Sequence, residues 1–251
     1  MSSPARVLAV LGLFSRERPV WHTDEINEAL GYARATGYRY VRELVESGFL
    51  RKVSAGRYAL GARIIELDYQ LRQSDPVLLA AAPVMDALAA RSRLDVVLST
   101  MLGEGKIIDI HRVSPDGALV LQYGRGRPRP LLRGAAPKVI LACLPRAALL
   151  RIYEAHAKEI AHLGLGRDWP EFRAWLTVIR QRGMYVSAGE LDPGVGAAAM
   201  PVLDAEGDVV AALAMVGRSK QIEAAGEVRL RAWLEEGVAQ VRERMGLISL
   251  P

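Results

Sequence analysis

Arg34, Thr36, Tyr38, Arg39, Tyr40 and Arg42 place three guanidinium groups, a hydroxyl and two phenols within one short stretch, and no acid interrupts them before Glu43. Forked guanidinium donors match the acceptor edge of guanine in a DNA major groove, and cations hold phosphates. At helical spacing Gly37, Val41, Leu44 and Val45 form an i, i+4, i+7, i+8 stripe, while Arg34, Tyr38, Arg39 and Arg42 take the rest of the cylinder. Residues 32–47 therefore predict a helix that packs by one face and offers cations on the other. Arg39 is the candidate for a base edge, and Thr36 and Tyr38 for positioning phosphates. Tyr40 is counted with the contacts, although its position suits a core side chain equally well.

A charged helix face is usually just a solvated one, so the neighbouring elements carry the argument. Val7, Leu8, Val10, Leu11 and Phe14 predict an amphipathic first helix, broken by Pro19 and Val20. Thr23 reads as the N-cap of a second, short helix, with Asp24 and Glu25 in its first turn and Ile26, Ala29 and Leu30 inward. Gly31 ends it, and the basic helix follows at once, the tight spacing of a helix-turn-helix. Gly48 closes the third helix. Residues 49–53 and 57–60 flank Ser54, Ala55 and Gly56, a hairpin whose Arg51, Lys52 and Arg57 suit a phosphate backbone. Residues 1–61 thus read as a winged helix-turn-helix. They hold nine Lys and Arg against six acids, a local surplus equal to Arg34, Arg39 and Arg42.

Residues 62–75 predict a helix, read as a linker between domains in preference to a fourth helix of the first domain. Pro76 opens the next, over 77–91. The pattern then turns to strands at 96–102 and 106–113 around Gly103, Glu104 and Gly105, and again at 118–123. A basic loop, 124–130, precedes helices over 137–144, 145–156 and 170–182. Strands at 185–187, 196–203 and 209–216 and a final amphipathic helix over 223–245 complete residues 76–251. Antiparallel hairpins with helices on one face indicate an α+β class.

The chain has 251 residues, half of them hydrophobic, enough for a substantial core, and a net charge of +5 that suits a polyanionic partner. A single cysteine, Cys143, precludes an internal disulfide and fits a reducing cytosol; it reads as a packing residue in an apolar helix. No signal peptide or membrane-length apolar run is evident. His22, His111, His156 and His162 lack metal-ligand spacing, so neither metal nor cofactor is expected. Asp109, His111 and Glu190 are the candidates for an enzyme, but they form no nucleophile–base–orienter set. Glu190 and Asp192 adjoin Pro193 and Gly194 and read as turn residues. The five cations at 125, 127, 129, 133 and 138 make either an exposed loop or a rim that draws in an anion.

Several segments, in order, resemble the IclR family of bacterial transcriptional regulators. They are Arg57-Tyr-Ala-Leu-Gly61 at the end of the hairpin, Pro130-Leu-Leu-Arg-Gly-Ala-Ala-Pro-Lys-Val-Ile-Leu-Ala142, Gly183-Met-Tyr-Val-Ser-Ala-Gly-Glu190 and Gly194-Val-Gly-Ala-Ala-Ala-Met-Pro-Val202. The resemblance implies a cytoplasmic homodimer or tetramer that binds a palindromic double-stranded DNA operator. It also implies a small-molecule effector in a GAF-like, antiparallel-sheet C-terminal domain. Carried onto this chain, the family's pocket positions are Ala135, Ala136, Ser187, Val195, Ala197, Ala214 and Val216. Two departures bear on the effector. Ala197, Ala214 and Val216 can donate no hydrogen bond. Pro137 replaces the usual glycine before the lysine and removes one helix N-terminal donor, leaving those of Gly134, Ala135 and Ala136, which Lys138, Arg133 and Ser187 could supplement. The expectation is an aromatic or medium-chain organic acid, anchored at one end and packed against methyl groups. The alternatives are an enzyme acting on a small acid and a sensor working through protein partners without DNA.

Overall fold

The computed structural model describes residues 2–103, 105–117 and 119–248. Packing divides the chain into two compact units, with the break between Ser74 and Asp75.

The first unit is a winged helix-turn-helix. It runs α1 (Ser3–Leu11), β1 (Trp21–His22), α2 (Thr23–Leu30), α3 (Arg34–Glu46), β2 (Leu50–Ser54), β3 (Arg57–Leu60) and α4 (Arg63–Ser74). Val10, Trp21, Ile26, Tyr40, Val41, Leu44 and Leu50 make its core. Burying an aliphatic side chain of this size contributes about 1.5–3 kcal/mol, so this small set suffices to fix three short helices. The wing has a third strand that the hairpin pattern did not reveal: β1 pairs with β3 and the order is β1-β3-β2.

That strand also corrects the cap of α2. Pairing of His22 with Arg57 holds His22 extended, so His22 and not Thr23 is the N-cap. His22 Nδ1 accepts the Asp24 N–H at 3.3 Å, and Glu25 accepts the His22 N–H at 2.8 Å, a reciprocal capping box. Thr23 is instead fully buried. Helix α3 starts at Arg34, two residues later than the spacing suggested, because Tyr32 anchors the turn: its N–H reaches Asn27 O at 2.8 Å and its hydroxyl reaches Arg6 O at 2.8 Å. Gly37 lies on the buried stripe for a steric reason. A Cβ there would sit 1.5 Å from Asn27 Oδ1 on α2. Helix α4 buries none of its residues, and Ile65, Tyr69 and Leu71 are well exposed.

The second unit is an α+β domain. Its elements are α5 (Pro76–Ser92), β4 (Asp95–Leu102), β5 (Lys106–Val113), β6 (Pro128–Arg129), α6 (Ala135–Cys143), α7 (Arg146–His162), α8 (Trp169–Arg182), β7 (Tyr185–Ala188), β8 (Val195–Leu203), β9 (Val209–Arg218), α9 (Ser219–Ala225) and α10 (Glu227–Leu247). The strands pair antiparallel in the order β6-β5-β4-β9-β8-β7.

Three expectations fail here. No strand forms over 119–123, and Ala118, like Glu104 of the expected hairpin turn, lies outside the described residues. Backbone oxygens of that stretch accept side-chain bonds instead: Arg112 Nη2 donates to Leu119 O, and Arg127 donates to Gln122 O. The edge partner of β5 is the two-residue β6, where Arg129 faces Ile107. Helices cover both faces of the sheet, not one. Leu213 and Met215 of β9 pack toward one core with Met85, Leu88, Leu230 and Leu234, while Ala212, Ala214 and Val216 pack toward another with Val139, Ile140 and Phe172. Period-two alternation sends neighbouring residues to opposite faces. Finally, the C-terminal helix is two helices, because Gly226 takes φ +74 between α9 and α10.

The two faces differ in side-chain size, and that positions the site. One carries Leu98, Met200, Leu213 and Met215; the other carries Ala197, Ala199, Ala212 and Ala214. The alanines admit α6, whose residues 135–142 are all buried, and leave space beside its N-terminus.

Candidate DNA-binding surface and effector cavity

The exposed face of α3 and the wing share an open groove of about 550 Å³, bordered by Ala35, Tyr38, Arg39, Arg42, Lys52 and Tyr58. Arg34 and Arg42 keep 80% and 70% of their side chains in solvent. Their acidic neighbours hold them loosely, Asp24 at 3.9 Å and Glu46 at 3.6 Å. Exposed pairs of that kind contribute about 0–1 kcal/mol, so these guanidinium groups are available to other anions. The Arg34 guanidinium lies 5.6 Å from the Tyr38 ring centre. Arg39, Arg51, Lys52 and Arg57 are exposed, and Thr36 is half-buried.

Tyr40 does not belong to this surface. It is 3% exposed, its ring meets Tyr32 edge-on at 5.6 Å, and its hydroxyl lies 3.1 Å from Ser3 Oγ. Position 40 completes the 37, 40, 41, 44 stripe, so helical spacing alone assigns it inward.

In the second unit, Gly134, Ala135, Ala136, Ser187, Val195, Ala197, Ala214 and Val216 line a single cavity of about 40 Å³. These are the seven carried-over pocket positions and Gly134. Of the two cations offered as supplements, Arg133 is exposed and neither it nor Lys138 lines the cavity. The wall also includes Leu121, Tyr123, Arg129, Glu190, Leu191, Asp192 and Gly196. The reading of Glu190 and Asp192 as mere turn residues therefore fell short. Their turn, closed by the Gly189 N–H on Val195 O at 2.8 Å, is itself part of the wall.

Glu190 sits where a ligand carboxylate was expected. Its Oε2 accepts the Gly134 N–H at 2.9 Å at the start of α6 and an ion pair from Lys138 Nζ. Its Oε1 accepts the Tyr185 hydroxyl at 3.0 Å, and Lys138 Nζ reaches the same hydroxyl at 3.1 Å. Burial pushes the Lys138 amine below its usual range, and Glu190 counters that shift. Burial and then the Glu190 carboxylate push the Tyr185 phenol well up. The Lys138 ammonium also stands 4.5 Å from the Tyr185 ring centre and 5.4 Å from that of Trp175. Lys138 and Gly134 are therefore committed to an internal acid, contrary to their expected service to a ligand.

The cationic run 125–138 is neither a free loop nor a uniform rim. Arg125 Nε donates to Ile110 O at 2.9 Å, Arg133 points to solvent, and Arg129 turns inward to Asp109 at 2.6 Å. Asp109 also accepts the Ser99 hydroxyl at 2.7 Å, and burial raises its carboxyl above the usual range. Of Asp109, His111 and Glu190, Glu190 alone lines the cavity. Cys143 ends α6 half-buried, with its thiol pushed up by that burial. Among the described residues no cluster of three His, Cys, Asp or Glu could hold a metal, and no helix is long and apolar enough to cross a membrane.

Two family models match the chain. The bacterial transcriptional regulator IclR C-terminal model covers residues 70–243, and the IclR helix-turn-helix domain covers residues 3–54. The chain belongs to the IclR family. A curated IclR-type relative, the HTH-type transcriptional regulator KipR of Bacillus subtilis, is 26% identical over 84% of this chain and 83% of its own. The solved IclR regulator of Alicyclobacillus acidocaldarius superposes with a TM-score of 0.78 at 26% identity, over 97% of this chain and 98% of that one. An IclR homologue from Microbacterium hydrocarbonoxydans, solved with 4-hydroxybenzoate, shares the fold with a TM-score of 0.74 at 21% identity, over 98% and 100% of the two chains.

Proposed function

We propose that this member of a transcriptional-regulator family binds a palindromic operator through α3 and the wing, and that a small organic acid in the second-unit cavity modulates that binding. The observation that carries the reading is the pairing of features in one chain. Arg34, Arg39 and Arg42 stand exposed on a helix glued down by Gly37, Tyr40, Val41 and Leu44, and the second unit encloses a cavity beside a helix N-terminus. Phosphate-directed cations on such a helix suit a major groove.

The effector is an aromatic or other medium-sized organic acid whose apolar part packs on Val195, Ala197, Ala214 and Val216. The fold neighbour that holds 4-hydroxybenzoate makes that compound the first to try. The cavity binds its ligand without transforming it, since of the enzyme candidates Asp109, His111 and Glu190 only Glu190 lines it, and Glu190 is already engaged by Lys138, Tyr185 and Gly134. The protein works in the cytoplasm as a homodimer or tetramer, matching the two-fold symmetry of a palindrome.

An electrophoretic mobility shift on DNA upstream of the protein's own gene, with and without 4-hydroxybenzoate and a panel of organic acids, tests this. A retarded band that unrelated DNA does not compete away, and that an acid strengthens or dissolves, is expected. No preference over unrelated DNA of equal length would overturn the operator reading.

A further inference from the structure

Two polar atoms in the cavity wall lack partners. Asp192 is 8% exposed; its Oδ2 accepts the Gln122 N–H at 3.3 Å, while its Oδ1 has no hydrogen bond. The Arg129 side chain is 9% exposed; its Nη2 donates to Asp109, while its Nε has no acceptor. Among the described residues the other two such side-chain atoms, Thr23 Oγ1 and Asn27 Oδ1, belong to the first unit. A buried donor or acceptor left unpaired lowers stability, and such atoms call for a specific explanation. Here an acid and a base, each with one unpaired buried atom, belong to the wall of one small cavity, alongside apolar Leu121, Leu191, Val195 and Val216 and polar Tyr123, Ser187 and Glu190.

The rest of the wall narrows what can satisfy them. The Gly134 N–H and Lys138 already hold the Glu190 carboxylate, so at that end a ligand carboxylate finds no free charged donor and only the uncharged N–H groups of Ala135 and Ala136. Arg129 Nε is the charged donor that remains unused. Asp192 Oδ1 repels a second carboxylate and demands a hydrogen-bond donor. A ligand that presents only a carboxylate and hydrocarbon would satisfy Arg129 and strand Asp192.

We infer that the cavity selects organic acids bearing a hydroxyl or amino donor over the same acids without it, with the carboxylate on Arg129 and the donor on Asp192. This inference rests on the reading that the cavity binds an organic acid. The discrimination has a physical basis: a site built around a ligand hydroxyl rejects the analogue that lacks it, because its own buried polar group is then left bare. Charge separates the two kinds of donor. The Arg129–Asp109 and Lys138–Glu190 pairs are each balanced, which leaves Asp192 as the unmatched charge in the wall. A cationic amine neutralises it, and a hydroxyl only solvates it.

Calorimetric titration of the full chain with two matched sets tests the inference: benzoate, 4-hydroxybenzoate and 4-aminobenzoate, then propionate, lactate and alanine. In at least one set the donor-bearing member should bind tenfold or more tightly than its parent. Asp192→Ala should bring the two within about twofold of each other, with the parent binding more tightly than it does to the unaltered protein, because no acceptor is then stranded. Preference for alanine over lactate would assign a cationic donor, and the reverse a neutral one. If Asp192→Ala does not fold, Asp192→Asn replaces it and should cut the discrimination at least fivefold. Equal affinity of parent and donor-bearing acids would overturn the inference and leave the organic-acid reading standing. Discrimination that survives in the Asp192 variants would also overturn it. Binding of no member of either set would overturn both readings.

Discussion

The cations of α3 and those around the cavity are the same residue types in opposite circumstances. Arg34 and Arg42 stand in water with loose partners, whereas Arg129 and Lys138 are nearly enclosed, at 9% and 5% side-chain exposure, and each is bound to an acid. An exposed charge is cheap to keep and free to meet a phosphate. A buried charge must be matched within the fold, because desolvation exceeds what an imperfect partner returns. The same substitution should therefore act on binding in one region and on stability in the other.

The largest effect tests the buried side. Glu190→Ala strips Lys138 of its carboxylate and should destabilise the second unit by about 3–5 kcal/mol, read by urea unfolding. The double variant Glu190→Ala with Lys138→Met should recover most of that loss, since no charge is then stranded. Arg34→Ala on the exposed side should change stability by less than about 0.5 kcal/mol. A Glu190→Ala protein as stable as the parent would erase the contrast.

Next comes the packed face of α3, which has to be intact before its other face matters. Gly37→Ala puts a methyl carbon 1.5 Å from Asn27 Oδ1. Overpacking should cost about 1–3 kcal/mol and weaken DNA binding through a misplaced helix. Asn27→Ala in the same chain should restore both melting temperature and retardation of DNA. Failure of that rescue would mean that α2 and α3 are held apart by something besides this contact.

The exposed face carries a prediction about binding alone. Arg39→Ala should leave the melting temperature unchanged and cost about 1–3 kcal/mol on the operator, with relaxed sequence preference. An equal loss on all DNA would assign Arg39 to phosphate.

The contrast also explains what was legible in the residues. The winged helix-turn-helix is local: caps, glycines and helical periodicity lie within sixty residues, and its exposed cations follow from the stripe opposite them. The cavity's apolar wall was reached through resemblance, and its alanines landed together because β7, β8 and β9 pair as that resemblance implies. Its polar wall was not legible. Glu190 meets Gly134 across 56 residues and Asp192 meets Gln122 across 70, distances at which spacing carries no information. Arg129 looked like one of five loop cations, and the two-residue strand that turns it inward is too short to leave a pattern. The alanines at 197, 199, 212 and 214 are plain in the sequence, but the presence of helices on both faces of the sheet decides what those short side chains do.

Tyr40 is the smallest test and falls on the boundary between the two circumstances. Its sequence neighbours Arg39 and Arg42 are exposed, yet its hydroxyl meets Ser3 on α1. Tyr40→Phe removes one partly buried hydrogen bond and keeps the ring against Tyr32. It should lower stability by about 0.5–1.5 kcal/mol and leave operator affinity as it was, measured on protein that is fully folded at the assay temperature. A phenol that touched DNA would give the opposite pair of results: unchanged melting and weakened binding. That outcome would require Tyr40 to leave the core on binding. The stripe of Gly37, Tyr40, Val41 and Leu44 would then be a surface that the helix can rotate away from the core, not a fixed seam.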